Sequence, residues 1–523
     1  MQGDSSIPNL SHAGAGGAGQ LAPGRENSAE AKPIMRSPIS WWRIADFGVL
    51  GLWMAIVIFT IQYHEKWADE AQAWLIARDL GLRTIWFHEL RYEGSPGLWH
   101  TMLWIAQHVF HAPYSSISII GAVCATAGVA LMLFKAPFPR PLRWMLAFTY
   151  FMVYQYAVIA RPYTLLPLLA FAAAYFFRDL QHPARMTAVL ILLANLSVHG
   201  ALLAACLGLG YFTETVKSWP TLAHRVRKLF ACCVVAMLGA FFLLFLVLKP
   251  TADVEEFAPK KIETQLAESE KIVQPSIETK LRAVISGAFF DEPITSCLFL
   301  LLAGAWCYSR KKLITFALPV AMMLVLYAAI HGYSHHHGTV FIAAITGLWI
   351  AWPTTQEEQA FTKEQRWALQ GIVGLLVCLF ALNIWDAAVA IRHEYLYPYS
   401  GAEDAARYLK SVGAEEKGVF GYLYGMVGVE AYFDHNIEKN RPTAYFHHGM
   451  PLIGTMLDVD AVQSVAPEYV VFFTEQPQLM IDRISRPMDN LGYQLVHFSD
   501  GYLLYKRGVY VRQSYFIFRR SAH

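Results

Sequence analysis

Charge is scarce in this chain: Asp, Glu, Lys and Arg make up 16% of its 523 residues, while 55% are hydrophobic. One water-soluble core cannot absorb that much apolar side chain, and the apolar residues come in blocks, which implies a bilayer. Net charge is also low, at a formal +2, so nothing points to nucleic acid as a partner. Cysteine is sparse. All seven cysteines (Cys124, Cys206, Cys232, Cys233, Cys297, Cys307 and Cys378) fall in apolar segments. No polar loop holds a pair, so neither a disulfide nor a metal-thiolate site is expected. The first apolar run starts only near residue 44, with no clear small-residue cleavage pattern after it, which argues against a signal peptide. Residues 1–40, rich in Gly, Ala, Ser and Pro without apolar periodicity, read as a disordered cytoplasmic lead-in.

What is abundant is long apolar sequence. A helix crosses the hydrocarbon core with roughly 17 to 25 apolar residues, and runs at 44–61, 115–134, 144–160, 162–177, 229–248, 313–330, 338–352 and 368–391 meet or approach that length. Shorter runs at 186–198, 200–212 and 294–308 stand beside them. Cytoplasmic loops collect Lys and Arg. The basic groups around Arg36, Lys135, Arg178, Lys217, Arg310 and Lys363 can share that side if residues 98–111 lie along the outer surface or re-enter. The expectation is an all-α polytopic membrane protein with about 11 to 13 transmembrane helices, its N-terminus cytoplasmic and its C-terminus outside, in a bacterial inner membrane. Residues 41–397 form the membrane domain, with outer loops at 62–97 and 250–293. Residues 398–523 form a small extracytoplasmic α/β domain, from a helical stretch at 401–411 and strand-like runs at 418–424, 468–474, 493–498 and 502–506.

The outer loop 62–97 begins where the first span ends. It carries the adjacent acids Asp69 and Glu70, then Ala71, Trp74, Leu75 and Arg78 at helical spacing, with Trp67, Trp74 and Trp86 suited to the interface. Capping of that helix by Asp69, with Glu70 at its positive end, explains the same two acids. A span followed directly by an Asp-Glu pair, an interfacial helix, and then Tyr92-Glu93-Gly94-Ser95-Pro96-Gly97-Leu98-Trp99 leading into a new apolar helix resembles the C-type membrane glycosyltransferases. These include protein O-mannosyltransferases and lipid A aminoarabinose transferases. The overlap is best over residues 44–178 and negligible in the C-terminal domain.

The resemblance implies sugar transfer from a polyprenyl-phosphate donor on the outer face, with Asp69 as the catalytic base and Glu70 as its neighbour. The acceptor, a glycan, a lipid or a protein, stays open. No metal is predicted, although the wider superfamily leaves a divalent cation open. The chemistry stands on its own terms: a carboxylate accepting a hydroxyl proton contributes roughly 10² to 10⁴ in rate, and fixed cations stabilise a departing phosphate. Candidates for the phosphate are Arg161, Arg78, Arg91 and His100. Arg161 is favoured because the run Arg161-Pro162-Tyr163 sits where a helix meets the outer surface; a snorkelling arginine fits the same place. For Arg78 and Arg91, Asp79, Glu89 and Glu93 are nearby ion-pair partners.

His331 and the run His335-His336-His337 cluster at another outer turn. Consecutive histidines diverge on a regular backbone, so contact with phosphate or sugar, or a polar helix end, is preferred to a metal site. His199 before Gly200 marks an outer bend facing the same cavity. Asp291-Glu292-Pro293 reads first as a helix start, the stretch 253–282 as a surface helix or flap, and Asp458 with Asp460 as ordinary loop acids. A transporter or flippase is the alternative, but it predicts charges deep in the spans and an inverted repeat, and neither is evident.

Overall fold

Helix dominates because most of the chain is long apolar sequence, and a bilayer leaves backbone amides no partners except their own helix. The computed structural model describes residues 41–93, 95–249, 275–329, 334–422, 424–446, 457–506 and 510–521, and it is 70% helix with a small C-terminal β region. The lead-in 1–40, the part of loop 250–293 up to 274, and His331 lie outside the described residues.

The main helices are α1 (Trp41–Ile61), α2 (Ala68–Asp79), α3 (Leu98–His108), α4 (Ser116–Lys135), α5 (Arg140–Ala147), α6 (Leu166–Phe176), α7 (Pro183–Ala194), α8 (Val198–Lys217), α9 (His224–Leu248), α10 (Ile277–Ala288), α11 (Pro293–Ser309), α12 (Leu313–Ala329), α13 (His337–Ala351), α14 (Lys363–Leu396) and α15 (Ala402–Ser411). Among the described residues α1, α4, α9 and α14 are long and apolar enough to cross a membrane, and α10 with α11, bent by 70°, make a fifth span if counted together. Shorter apolar helices of 10–17 residues account for the runs at 162–177, 186–198, 313–330 and 338–352.

Apolar sequence serves two purposes here. In the most apolar window of α9 only 11% of residues are buried, as suits a helix facing lipid, whereas every residue of α13 is buried. The run 144–160, expected as a span, is not one helix. It holds the end of α5, a π-helical turn at Phe151–Gln155 and an irregular stretch, and every residue from Tyr150 to Ala160 is buried. Its hydrophobicity packs the protein interior, and its broken backbone is tolerated because protein surrounds it.

In the C-terminal segment, β1 (Val419–Tyr422), β2 (Tyr469–Thr474), β3 (Tyr493–Ser499) and β6 (Ser514–Arg520) form a sheet in the order β1-β2-β6-β3, with β4 (Tyr502–Leu504) and β5 (Tyr510–Arg512) paired separately. β1 runs parallel to β2, and β6 is antiparallel to both its neighbours. The expected helix at 401–411 is α15, and the four strand-like runs correspond to β1 to β4. The interior strand β6 has no counterpart among the strand-like runs of the sequence. A helix at Pro477–Asn490 also belongs to this segment.

Candidate active site

The loop after α1 is shaped by Glu70. From the third position of α2 its carboxylate reaches back toward the Trp67 N–H, 3.3 Å away, one half of a capping box. Its other oxygen accepts the Ala160 N–H at 2.8 Å. Glu70 is fully buried and is paired with His64 Nε2 at 2.9 Å. The opposite nitrogen of His64 lies 2.9 Å from Glu394 Oε1, which also accepts the Tyr154 hydroxyl at 2.6 Å. Burial pulls the His64 pKa down, but the two carboxylates outweigh it and raise the value to about 10. Burial likewise opposes ionisation of Glu70, and the His64 charge and the Ala160 N–H more than offset it, so Glu70 is held below the usual carboxylate range. Buried charges persist only when paired in this way. This brace joins the first loop, the end of α14 and the turn leading to Arg161.

Asp69, one residue earlier, faces a different environment. It lines a cavity of about 590 Å³ together with Arg161, Tyr163, His199, His335 and His336. Asp69 Oδ1 accepts the Tyr424 hydroxyl at 2.9 Å, and Oδ2 lies 3.0 Å from Arg161 Nη1. The Arg161 guanidinium lies over the Trp67 and Tyr163 rings, 5.7 and 5.6 Å from their centres, as a cation held on aromatic faces. Tyr163 lies in the short 3₁₀ turn Pro162–Leu165, and its hydroxyl is 3.2 Å from His199 Nδ1. His199 sits in the first turn of α8, which Ser197 caps by accepting the Gly200 N–H at 3.0 Å. A Cβ at Gly200 would lie 2.3 Å from the Leu193 carbonyl oxygen, so glycine permits this close bend between α7 and α8. The His199 and His336 rings are 5.0 Å apart.

Glu93 and His100 complete the set of expected residues on this cavity. Glu93 accepts from Gln72 Nε2 at 2.8 Å. Burial lowers the pKa of His100 to about 4, and burial, with neighbouring histidines and Arg161, holds His335 and His336 well below their ordinary value. These imidazoles are therefore neutral hydrogen-bonding groups at physiological pH. Among the described residues no cluster of three or more His, Cys, Asp or Glu has the geometry to hold a metal ion.

Three expected residues lie off the cavity. Glu70 belongs to the buried brace. Arg78 pairs with Asp79 at 2.6 Å and donates to the Phe433 carbonyl at 2.6 Å, tying α2 to the C-terminal segment. Arg91 donates to the Phe87 carbonyl at 2.7 Å, on an exposed edge. Elsewhere, Glu292 caps α11 by accepting the Ile294 and Thr295 N–H groups. Its neighbour Asp291 is buried against Lys506 at 3.0 Å. Asp458 caps a helix through the Ala461 N–H.

The cavity also uses residues that sequence reasoning missed: Trp67, Gln72, Tyr424, Glu475 and Tyr505. In the sequence alone Trp67 stands out only as an interfacial aromatic. Burial raises the pKa of Glu475, Gln513 works against that, and the Asp69 charge adds to it. Tyr424, Glu475 and Tyr505 come from the C-terminal segment, where no sequence pattern singles them out.

No protein-family model matches the chain, and no curated protein matches it in sequence. Solved structures do. ArnT from Cupriavidus metallidurans in the apo state aligns with a TM-score of 0.55 at 12% identity, over 91% of this chain and 98% of that one. The same protein bound to undecaprenyl phosphate aligns with a TM-score of 0.51 at 11% identity, over the same shares of 91% and 98%. At this identity the likeness speaks for the fold alone, which this chain shares with ArnT.

Proposed function

We propose that the protein is a membrane glycosyltransferase that moves a sugar from a polyprenyl-phosphate donor to a hydroxyl acceptor, with Asp69 as the base and Arg161 at the donor phosphate. The carrying observation is the juxtaposition of the two groups, 3.0 Å apart, on one cavity large enough for a sugar phosphate. The undecaprenyl phosphate bound by ArnT, which shares this fold, supports the donor class. In this reading the acceptor hydroxyl gives its proton to Asp69 as its oxygen bonds to the sugar's anomeric carbon. The bond from that carbon to the phosphate oxygen breaks, and the electron pair leaves with the phosphate, whose growing charge Arg161 stabilises. Tyr163, His199, His335 and His336 surround the phosphate and sugar as neutral hydrogen-bonding partners, with Glu93 and His100 on the first-loop wall. Glu70 acts as a support for the Asp69–Arg161 pair, and Arg78 and Arg91 as local ties.

The same reading puts the cavity on the extracytoplasmic face of a bacterial inner membrane, with the N-terminus cytoplasmic, residues 41–397 as the membrane domain and residues 398–523 as the outer domain that covers the acceptor side. Membranes expressing the protein at matched levels are supplied with radiolabelled polyprenyl-phosphate sugars. The expected result is label transfer by wild type and almost none by Asp69→Asn. Equal transfer by the two would remove Asp69 as the base. No transfer by wild type from any donor would favour translocation of the lipid instead.

A further inference from the structure

In the proposed reaction Arg161 faces two anions: Asp69, which it already meets, and the donor phosphate. Among the described residues that line the cavity it is the one arginine or lysine, and the lining histidines His335 and His336 are held neutral by burial and by Arg161 itself. Its backbone has little freedom to serve a second site. The preceding residue, Ala160, is stapled to the buried Glu70, the next residue is Pro162, and the guanidinium lies over the Trp67 and Tyr163 rings. Its contact with Asp69 is also incomplete. Nη1 lies 3.0 Å from Oδ2, yet this buried nitrogen makes no aligned hydrogen bond among the described residues. The Tyr424 hydroxyl, in contrast, donates properly to the other oxygen. Asp69 therefore has one firm partner that keeps it in place and one cation held by charge alone.

We propose that Arg161 is a counter-ion handed from Asp69 to the leaving phosphate during the transfer step. This rests on the polyprenyl-phosphate donor proposed for the site. Before reaction the ionised Asp69 and the phosphate diester share one guanidinium, and each weakens the other's hold on it. When the acceptor hydroxyl transfers its proton to Asp69, the carboxyl becomes neutral at the stage when the carbon–oxygen bond to phosphate breaks and the phosphate gains charge. Arg161 then belongs to the phosphate. The interaction strengthens along the reaction and is not spent on the ground state, which is the form of binding that accelerates a reaction. The hand-over predicts antagonism between the Asp69 charge and phosphate binding. An Asp69 that merely oriented Arg161 for the phosphate would have the opposite effect and assist binding.

The test is equilibrium binding of undecaprenyl phosphate to the purified full-length protein in nanodiscs at fixed pH and salt, for wild type, Asp69→Asn, Arg161→Gln and the double variant. Asn keeps the shape of Asp69 and an oxygen for Tyr424, and imitates the protonated acid. Asp69→Asn is expected to bind roughly tenfold more tightly than wild type, and Arg161→Gln is expected to weaken binding more when residue 69 is already Asn than in the wild-type background. If Asp69→Asn binds equally or more weakly while Arg161→Gln still weakens binding, the hand-over is overturned and the donor site stands. If wild type binds no more tightly than Arg161→Gln, both the hand-over and the placement of the phosphate at Arg161 fall.

Discussion

Asp69 and Glu70 are adjacent in sequence, yet they belong to two differently built regions. On the cavity side, Asp69 and Arg161 are partly open to solvent, at 21% and 17% of their side-chain area, and their polar groups are incompletely matched. On the other face of the same helical turn, His64, Glu70 and Glu394 are sealed from solvent and interlocked across three segments of the chain. The Asp69–Arg161 pair lies on a cavity that can admit a ligand, while the brace directs its charges inward and holds the cavity residues in register. Such a division is expected of a site that must be preorganised and still reactive.

The sharpest way to break this contrast is to neutralise one acid at a time. Asp69→Asn should lower sugar transfer by about 10³-fold while leaving the thermal midpoint near wild type, as activity and melting of the same preparations would show. Glu70→Ala should do the opposite first: removing one partner of a buried charge set costs about 3 to 5 kcal/mol, so a large drop in melting temperature should precede any specific catalytic effect. If Glu70→Ala melts like wild type, the brace does not hold the fold. The two halves of the brace also have opposite pH responses. The raised pKa of His64 means its stabilisation is complete below its ordinary 6.5 and fades as pH rises through about 10. The lowered pKa of Glu70 means its share is present above its ordinary 4.5 and is lost as pH falls further. Melting measured against pH should therefore be highest between these ordinary values and decline toward alkaline pH, and His64→Gln should flatten the alkaline decline.

The contrast also explains which features the sequence could reveal. The acid pair was visible because its place directly after α1 is distinctive, and Arg161 and Tyr163 because a proline marks a backbone break. The division of labour within the pair was hidden. Helical spacing says that residues 69 and 70 point in directions about a third of a turn apart, but which direction meets the cavity depends on His64, Ala160 and Glu394, the last lying 330 positions from His64. For the same reason the run 144–160 resembles a span: hydropathy reports aversion to water and cannot separate a lipid-facing helix from a segment buried in protein. The contribution of Tyr424 was illegible, because its partner Asp69 is 355 positions away and nothing near it in sequence resembles a site.

Tyr424→Phe is an intermediate probe, since it removes the aligned hydrogen bond that Asp69 receives from the C-terminal segment. A hydrogen bond to a charged group is worth about 1.5 to 3 kcal/mol, so transfer should fall by roughly ten- to a hundredfold, with little change in donor binding because the hydroxyl donates to Asp69 and not to the phosphate. An unchanged rate would mean that the C-terminal segment only covers the cavity.

Arg91→Ala is the smallest expected effect and the control that gives the larger ones meaning. Arg91 belongs to the same first loop as Asp69 and carries the same charge as Arg161, but its guanidinium donates to the Phe87 carbonyl on an exposed edge. Surface substitutions of this kind stay within about 0.5 kcal/mol, so melting and sugar transfer should both match wild type. If Arg91→Ala instead reduced donor binding as strongly as Arg161→Gln, net positive charge along the first loop would govern the phosphate. The incompletely paired guanidinium inside the cavity would then have no special claim to it.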